Sequence, residues 1–251
     1  MKKSWPSLLA FVLILLVWHF IVSSGLIPSF LLPAPGQVFH SFSEMPEDFA
    51  MAFQSTLKST LWGFFLSSIL GFSLALLFSS SDFLKRAFLP FAVFFQTVPI
   101  VAIAPLLVIW FGFGESTVRA SALIVSIFPV LANSLVGLSN FDAGLKELLN
   151  SYGASHRQIL LKLQIPSSLP AVFSGLQVAA GLAVIGALVG EFVAGGGLGG
   201  LIDSARTQQR VDIVFAALFL SSVLGLGLTG LVRGAAQMIL RWRPFFSKDL
   251  F

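Results

Sequence analysis

The chain of 251 residues is 56% hydrophobic and only 10% charged, and its mean hydropathy is +0.93. A water-soluble domain carries roughly a quarter charged residues, so this composition excludes a soluble globular protein and indicates a chain embedded in lipid. The absence of cysteine excludes disulfides and thiolate metal sites, and the net charge of +4 comes without any long basic run, which argues against a nucleic-acid partner.

A helix that crosses about 30 Å of hydrocarbon needs roughly 20 mostly apolar residues, because every backbone polar group must be satisfied within the segment. We therefore predict an all-α integral membrane protein with about six transmembrane helices. The predicted spans are Leu8–Ser24, Leu57–Phe78, Phe88–Phe111, Val118–Leu138, Leu169–Ala194 and Ile213–Ile239.

The first span could instead be a cleaved signal peptide, because Lys2 and Lys3 precede its apolar core. No A-x-A-like cleavage site follows, however, and Trp18 and His19 interrupt the end of the apolar run. We therefore favour an uncleaved span. This reading divides the chain into 1–56 (first span and external proline-rich segment), 57–240 (transmembrane domain) and 241–251 (cytoplasmic tail).

The distribution of Lys and Arg predicts the orientation, since basic residues accumulate on the cytoplasmic side of a membrane. With the N-terminus inside, the basic residues on the cytoplasmic side outnumber those outside, and both termini are predicted to be cytoplasmic. The inner set is Lys2, Lys3, Lys85, Arg86, Lys146, Arg157, Lys162, Arg233, Arg241, Arg243 and Lys248, and the outer set is Lys58, Arg119, Arg206 and Arg210.

Several polar or small residues inside the predicted spans are candidates for the pathway or for helix packing. Gln96 and Thr97 precede Pro99, so the third span should be kinked or broken there, either to line a cavity or for structural reasons. Asn133 should face the pathway or hydrogen-bond to another helix. The patterns Gly186-x₃-Gly190 and Gly230-x₃-Gly234 favour close helix packing.

Glu191, at the outer end of the fifth span, is the ionisable residue most suggestive of function. One interpretation is that Glu191 lines or gates the pathway beside the glycine-rich turn at residues 195–200. The other is that it pairs with Arg206 or Arg119. The three histidines are dispersed, so no metal site is expected.

The loop at residues 139–168 is the one long loop predicted on the cytoplasmic side. It carries apolar residues at i, i+3, i+4 and i+7, which predicts a helix with one apolar face: Leu145, Leu148, Leu149 and Tyr152. Asn140 or Asp142 can cap the start of this helix, and Gly153 can supply the positive φ at its end.

A second short helix is predicted directly after that turn. Ser155 and Gln158 have the spacing of a capping box, and Pro166 should end the helix. Two short helices joined by a turn on a cytoplasmic loop favour a docking element for another protein.

These residues carry a family resemblance. Glu147, Gly153 and the run from Leu163 to Pro166 have the spacing of the EAA-type motif of binding-protein-dependent ABC transporter permeases, E-A-A-x₃-G-x₉-I-x-L-P. Leu148 and Leu149 replace the two alanines, and Leu163 and Ile165 exchange the aliphatic types. Three further segments are similar to the nitrate/sulfonate/taurine-type branch, which includes importers of thiamine-precursor pyrimidines and riboflavin: Leu32–Val38, Pro99–Gly112 and Gly190–Ile202.

The resemblance implies a type I ABC importer permease fold in the bacterial cytoplasmic membrane. Two permease copies, expected to be a homodimer, would form the pathway, and an external binding protein would deliver the solute. The coupling helices within residues 140–166 would contact a cytoplasmic ATP-binding subunit through Glu147, Gly153, Ala154, His156 and Arg157. The chain has no GxxxxGK[ST] loop, so it should bind no cofactor and hydrolyse no ATP itself.

Other classes stay open from the residues alone. A stand-alone secondary transporter or channel should show coupling carboxylates or histidine pairs at mid-membrane, and an intramembrane enzyme should show a catalytic pair. Neither is apparent, whereas a non-catalytic membrane scaffold is excluded least well. The solute would be a small organic molecule or anion, and the lack of an Arg/Lys cluster in the spans favours a neutral or aromatic one.

Overall fold

The computed structural model describes residues 5–25 and 27–242, and all regular secondary structure in this part of the chain is helical. The predicted inner charges Lys2, Lys3, Arg243 and Lys248 lie outside the described residues. The helices are α1 (Trp5–Ser23), α2 (Pro35–Glu44), α3 (Pro46–Ser79), α4 (Asp82–Thr97), α5 (Ile100–Phe111), α6 (Glu115–Ser139), α7 (Ala143–Ser151), α8 (His156–Ile159), α9 (Ile165–Ala194), α10 (Gly197–Thr207) and α11 (Val211–Ile239). A π-helical turn, Leu160–Gln164, joins α8 to α9.

Four helical segments of the described chain are long and apolar enough to cross a membrane: α3, α6, the continuous segment His156–Ala194, and α11. Two shorter apolar helices, Leu8–Ser23 and Ile100–Phe111, occupy the places of the first and third predicted spans. The fold class is therefore the predicted all-α membrane protein.

The third predicted span is broken, as the proline pattern predicts. Helix α4 ends at Thr97 and α5 begins at Ile100, with Pro99 at the N-cap of α5. The break follows from sterics, since a proline ring disfavours helical backbone at the preceding residue, here Val98. With 12 residues, α5 is about 18 Å long, too short to cross the hydrocarbon alone, so the third crossing is divided between two helices.

The second predicted span begins much earlier than Leu57, because α3 starts at Pro46. Proline is favoured at the first helical position, and Glu47 and Asp48 place negative charge in the first turn, where the helix dipole favours it. The proline-rich segment before Leu57 is consequently not a simple loop. It contains α2 and the first turns of α3.

Helices α3, α6 and α9 form the centre of the molecule and approach each other through small residues. A Cβ atom on Gly63 of α3 would lie 2.5 Å from the Cβ of Ala122 in α6, and one on Gly186 of α9 would lie 2.7 Å from the carbonyl oxygen of Ser121. The predicted role of the Gly186 pattern in close packing is confirmed. Gly230 and Gly234 of α11 have nothing within 4 Å of such a Cβ among the described residues, so the close approach predicted for them is not made within this part of the chain and stays a prediction.

Candidate functional site

Helix α7 is capped at both ends by the local signals that its sequence contains. Asp142 is the N-cap, and its Oδ1 accepts hydrogen bonds from the backbone N–H groups of Gly144 at 2.8 Å and Leu145 at 3.2 Å. At the other end Gly153 has a φ of +74°, and the next residue, Ala154, donates its N–H to the Leu149 carbonyl at 3.0 Å. The predicted cap at Asp142 and the predicted turn at Gly153 are confirmed.

The apolar face of α7 does not pack on the rest of the described chain. No residue of α7 is buried, and the exposed fractions are 48% for Leu145, 51% for Leu148 and 82% for Tyr152. The predicted polar contacts Glu147 and His156 are exposed as well. An exposed apolar face with polar neighbours is typical of a surface that another protein covers.

Arg157 completes the set of predicted polar contacts on this loop. The side chains of Glu147, His156 and Arg157 are all exposed, and they form no ion pair or side-chain hydrogen bond with other residues of the described range. Their polar groups are consequently available to a partner rather than used within the chain. Ala154, by contrast, is half-buried at the turn.

The second loop helix begins as predicted but does not end at Pro166. Ser155 and Gln158 form the predicted capping box, with the Ser155 N–H 2.7 Å from the Gln158 side-chain oxygen. The chain then continues without interruption through the π-turn into α9, so that one helical segment runs from His156 to Ala194. The predicted end at Pro166 is therefore wrong.

The π-turn explains why the proline is tolerated. Proline lacks an N–H group, and within an α-helix its ring clashes with the carbonyl of residue i−4. Here the helix is already widened before the proline, because the Ile165 N–H donates to the Leu160 carbonyl five residues earlier. Pro166 follows directly after this widened turn, as the second residue of α9.

Glu191 lies near the opposite end of α9 and is 1% exposed. Its Oε2 atom is 2.9 Å from the Thr56 hydroxyl of α3 and accepts a hydrogen bond at 3.0 Å from the Gly199 N–H of α10. The Thr56 hydroxyl in turn accepts one from the Leu198 N–H at 2.9 Å. Two free N–H groups at the start of α10 are thus satisfied by side chains from α3 and α9.

The predicted pairing of Glu191 with a basic residue is wrong. Arg206 forms its ion pair with Asp203 at 2.8 Å, and Arg119 pairs with Glu115 one helical turn away. Both arginines therefore use nearby acids in the same helix, and Glu191 bonds to a hydroxyl and a backbone amide instead.

The turn between α9 and α10 depends on glycine at Gly195, Gly196 and Gly197, whose φ values are +82°, +85° and +57°. A Cβ atom on Gly197 would also overlap the carboxyl group of Glu191. Glycine is needed at this position both for the left-handed backbone and for the close approach of Glu191.

Glu191 lines two neighbouring cavities of about 870 Å³ and about 360 Å³. We call the larger one the glycine-turn cavity, since Gly195–Gly197 form part of its wall. Its other wall comes from the first turns of α3, including Asp48 and Met51. Within the described residues, the second carboxyl oxygen of Glu191, Oε1, is buried and makes no hydrogen bond.

The other predicted pathway residues lie elsewhere. Gln96 and Thr97 are exposed at the end of α4, and the Thr97 hydroxyl bonds back to the Phe94 carbonyl at 2.7 Å. Asn133 is half-buried in α6, where its amide donates to the Pro129 carbonyl of its own helix at 2.9 Å. None of the three lines either cavity that Glu191 lines.

Thr56 is not among the predicted site residues, yet it connects Glu191 to α10. A usable signal for it exists in the sequence. The sequence that forms α3 carries small or hydroxyl residues at helical spacing, beginning one residue before the predicted second span, and all of the following are buried in the structure: Thr56, Ser59, Thr60, Gly63, Ser67 and Gly71.

Comparison with known proteins places the chain in a transport family. Residues 67–239 match the family model described as "Binding-protein-dependent transport system inner membrane component". The chain is 34% identical to the formylaminopyrimidine transport permease protein of Halalkalibacterium halodurans, over 97% of this chain and 99% of that protein. It is 32% identical to the riboflavin transport system permease protein of Chloroflexus aurantiacus, over 96% and 92% of the two chains.

The fold agrees with this placement. A solved structure of the MetNI methionine ABC transporter in an inward-facing conformation superposes with a TM-score of 0.64 at 18% identity, covering 79% of this chain and 97% of that one. A secondary transporter, an intramembrane enzyme and a scaffold are therefore set aside. The chain belongs to the binding-protein-dependent transport permeases and is the multi-pass permease subunit of an ABC importer in the cytoplasmic membrane.

Proposed function

We propose that this chain pairs with a second copy of itself to form the solute pathway, and that α7 with the following turn docks on a separate ATP-binding subunit. An external binding protein delivers the solute. ATP is bound and hydrolysed on the partner subunit, and the permease itself binds no cofactor. Glu147, His156 and Arg157 supply the polar contacts of the docking surface, and Leu145 and Tyr152 supply its apolar part.

The exposed apolar face of α7 is the observation that carries this proposal. Exposing Leu145, Leu148 and Tyr152 to water is unfavourable by roughly 25 cal/mol per Å² of apolar surface, so a partner that covers the face gains that free energy. Since α7 lies at the end of a segment that includes a 25-residue membrane helix, it stands at the edge of the membrane domain. This is the position in which a partner outside the membrane can reach it.

The covalent path from this surface into the membrane supports a mechanism of coupling. The turn at Gly153 leads directly into the continuous helix His156–Ala194. When ATP binding brings two partner ATPases together, α7 and α8 move with them, and the attached helices α6 and α9 follow as rigid bodies. The pathway between two permease copies then alternates between its two openings.

The solute is proposed to be a small organic molecule. The two relatives described above are named for formylaminopyrimidine and riboflavin, both nitrogen heterocycles. Few charged side chains lie in the membrane helices of this chain, so a neutral or weakly charged solute agrees best with them.

Substitution of Gly153 tests the docking role. We expect Gly153→Asp to abolish the stimulation of ATPase activity by loaded binding protein in the purified complete complex, because the turn needs a φ of +74° and an acidic side chain would enter the docking surface. The matched control is Gly25→Asp, since Gly25 has a φ of +71° and likewise has open space around a built Cβ. Gly25 follows α1 and lies far from α7 along the chain.

Both variants should insert into the membrane and assemble to the same extent. Loss of stimulation in the Gly153 variant alone supports the proposal. Normal stimulation in a fully assembled Gly153→Asp complex would show that α7 and its turn are not the coupling element.

A further inference from the structure

The glycine-turn cavity has the chemistry of a ligand site. We propose that it is a solute-binding site at the end of the pathway opposite the docking loop, that it takes solutes with N–H donors on a flat aromatic body, and that it disfavours oxyanions. The inference rests on the proposed role of this chain as the pathway subunit. It adds the location of a contact site and the class of solute.

Glu191 supplies the first argument, because half of its carboxyl group has no partner in the described chain. Oε2 is occupied by Thr56 and the Gly199 N–H, whereas Oε1 is buried without a hydrogen bond. A buried acceptor without a donor costs roughly 1–3 kcal/mol, more if it is charged, so natural structures seldom retain one without a reason. Gly197 packs against this carboxyl group and leaves Oε1 no accessible surface, so an N–H group of a solute would satisfy Oε1 once the glycine turn moves aside.

The charges around the cavity supply the second argument. Asp48, Glu191 and Asp203 line it, and Arg210 is the one basic side chain that lines it in the described part of the chain. Arg210 is already paired with Asp212 at 2.7 Å and with Glu44 at 2.7 Å. The hydrogen bonds that Arg210 donates to Asp212 and Glu44 raise its pKa above the ordinary value.

The cavity therefore offers acceptors without a free cation. Asp203 is neutralised by Arg206, whereas Asp48 is exposed and forms no ion pair with other described residues. A sulfonate or carboxylate in this space would meet Glu191 and Asp48 with no unpaired guanidinium or ammonium group to bind it, and like charges at close range repel. An amine or amide donor would meet favourable partners.

The apolar part of the wall supplies the third argument. Phe113 is 79% exposed and Met51 is 62% exposed, and Phe192 completes a wall of large apolar side chains. Aromatic rings favour offset or edge contacts with other rings, and a methionine sulfur also packs well against them. A volume of about 870 Å³ is within the usual range for small-molecule sites.

The absence of cysteine from the sequence makes a direct binding test possible. Met51→Cys places a single thiol on the cavity wall, and its rate of labelling by a maleimide is measured in the purified complete transporter. The probes are aminopyrimidine, unsubstituted pyrimidine and benzenesulfonate. Thr207→Cys is the control thiol, since Thr207 is exposed on α10 but does not line the cavity.

We expect aminopyrimidine to slow labelling of the Met51→Cys thiol about tenfold at ten times its dissociation constant, by simple occupancy. Pyrimidine should protect less because it has no donor, benzenesulfonate should not protect, and the Thr207→Cys thiol should react equally in all cases. No protection by aminopyrimidine, or equal protection by benzenesulfonate, would overturn the inference.

Glu191→Gln then tests the role of Oε1 itself. The amide oxygen can take the place of Oε2 and keep the hydrogen bonds to Thr56 and Gly199, so the NH₂ group takes the place of Oε1. The substitution thus changes the free acceptor into a donor at nearly constant shape. In this background the aminopyrimidine concentration that gives half-protection should rise about tenfold or more.

Glu47→Gln is the matched control, because Glu47 is an exposed acid at the start of α3 that does not line the cavity. Protection that survives Glu191→Gln unchanged would contradict the proposed contact. Failure of the coupling proposal is seen separately, since stimulation of ATPase activity in the Gly153 experiment does not depend on these probes.

Discussion

At the scale of single residues, Thr56 has the most consequential position in the described chain. It is 0% exposed, and its hydroxyl lies within hydrogen-bond distance of the Glu191 carboxyl group and the Leu198 N–H. Through these two contacts one side chain of α3 connects the end of α9 to the start of α10. Removing the hydroxyl leaves a buried amide without its acceptor and a buried carboxyl oxygen with one donor fewer.

We expect Thr56→Val to lower the stability of the protein by about 1–3 kcal/mol, because valine keeps the shape of threonine but leaves the Leu198 N–H without its acceptor and the Glu191 carboxyl group with one donor fewer. The measurement is the midpoint of thermal denaturation in detergent. Thr56→Ser keeps the hydroxyl and should retain most of the stability. Equal midpoints for the valine variant and the natural protein would show that this hydroxyl does not connect the helices.

Gly197 makes a second residue-scale prediction. Gly197→Ala places a side chain in the left-handed region at a cost of roughly 1–2 kcal/mol, and its new Cβ would also overlap the Glu191 carboxyl group. We therefore expect Gly197→Ala to lower the denaturation midpoint more in the natural protein than in a Glu191→Ala background, as double-mutant coupling requires. Equal losses in the two backgrounds would argue against the contact.

Residue-scale features were predictable from the sequence where the interacting groups are close along the chain. The cap at Asp142, the turn at Gly153 and the Ser155–Gln158 box each join residues no more than five positions apart in the sequence. The partner of Glu191 was not predictable in this way. Thr56 lies 135 residues before it, and only the packing of α3 against α9 brings them together.

At the scale of elements, α7 is a short helix that tertiary packing does little to stabilise, because none of its residues is buried. Its stability therefore depends on its caps. We expect Asp142→Ala to cost about 1 kcal/mol locally, which corresponds to roughly fivefold faster hydrogen exchange of the α7 amides.

Asn140→Ala is the matched control for this prediction, since Asn140 is the other residue that the sequence allows as a cap. In the structure the side chain of Asp142 accepts from the first turn of α7, and Asn140 contributes its backbone N–H to the end of α6. Its substitution should leave exchange in α7 unchanged. Equal acceleration by both substitutions would mean that the cap is shared.

Element boundaries show where sequence patterns stop being informative. Hydropathy places the centre of each crossing well. It misses the first turns of α3, which begin at Pro46, because these turns carry polar residues and are therefore read as a loop. Pro166 is read as a helix end, although a π-turn just before it lets the helix continue. The two errors have different causes, since hydropathy misses a helix start that Pro46 and two acidic residues favour locally, and a π-turn lets a helix pass a proline that would otherwise end it.

At the scale of the whole molecule, the membrane topology is predicted from charge but can be measured directly. The chain contains no cysteine, so single thiols can be introduced at exposed positions without background. The positive-inside pattern predicts that Ser151, at the end of α7, faces the cytoplasm and that Thr207, at the end of α10, faces outward.

In intact cells a membrane-impermeant maleimide should therefore label Thr207→Cys and not Ser151→Cys. Inverted membrane vesicles should show the opposite pattern. Labelling of Ser151→Cys in intact cells would reverse the assigned orientation and with it the placement of the docking loop. Assembly into the complete complex, checked in parallel, shows that the labelled molecules are native.

The length of α9 has a mechanical consequence for the contacts at its far end. With 30 residues, α9 is about 45 Å long, so tilting it by about ten degrees around its midpoint carries each end through about 4 Å. That displacement exceeds the tolerance of a hydrogen bond. A tilt driven from the docking loop would pull Glu191 away from Thr56 unless α3 tilts by the same angle. Either α3 and α9 swing as one block, or the amides at the start of α10 lose their acceptors once in every transport cycle.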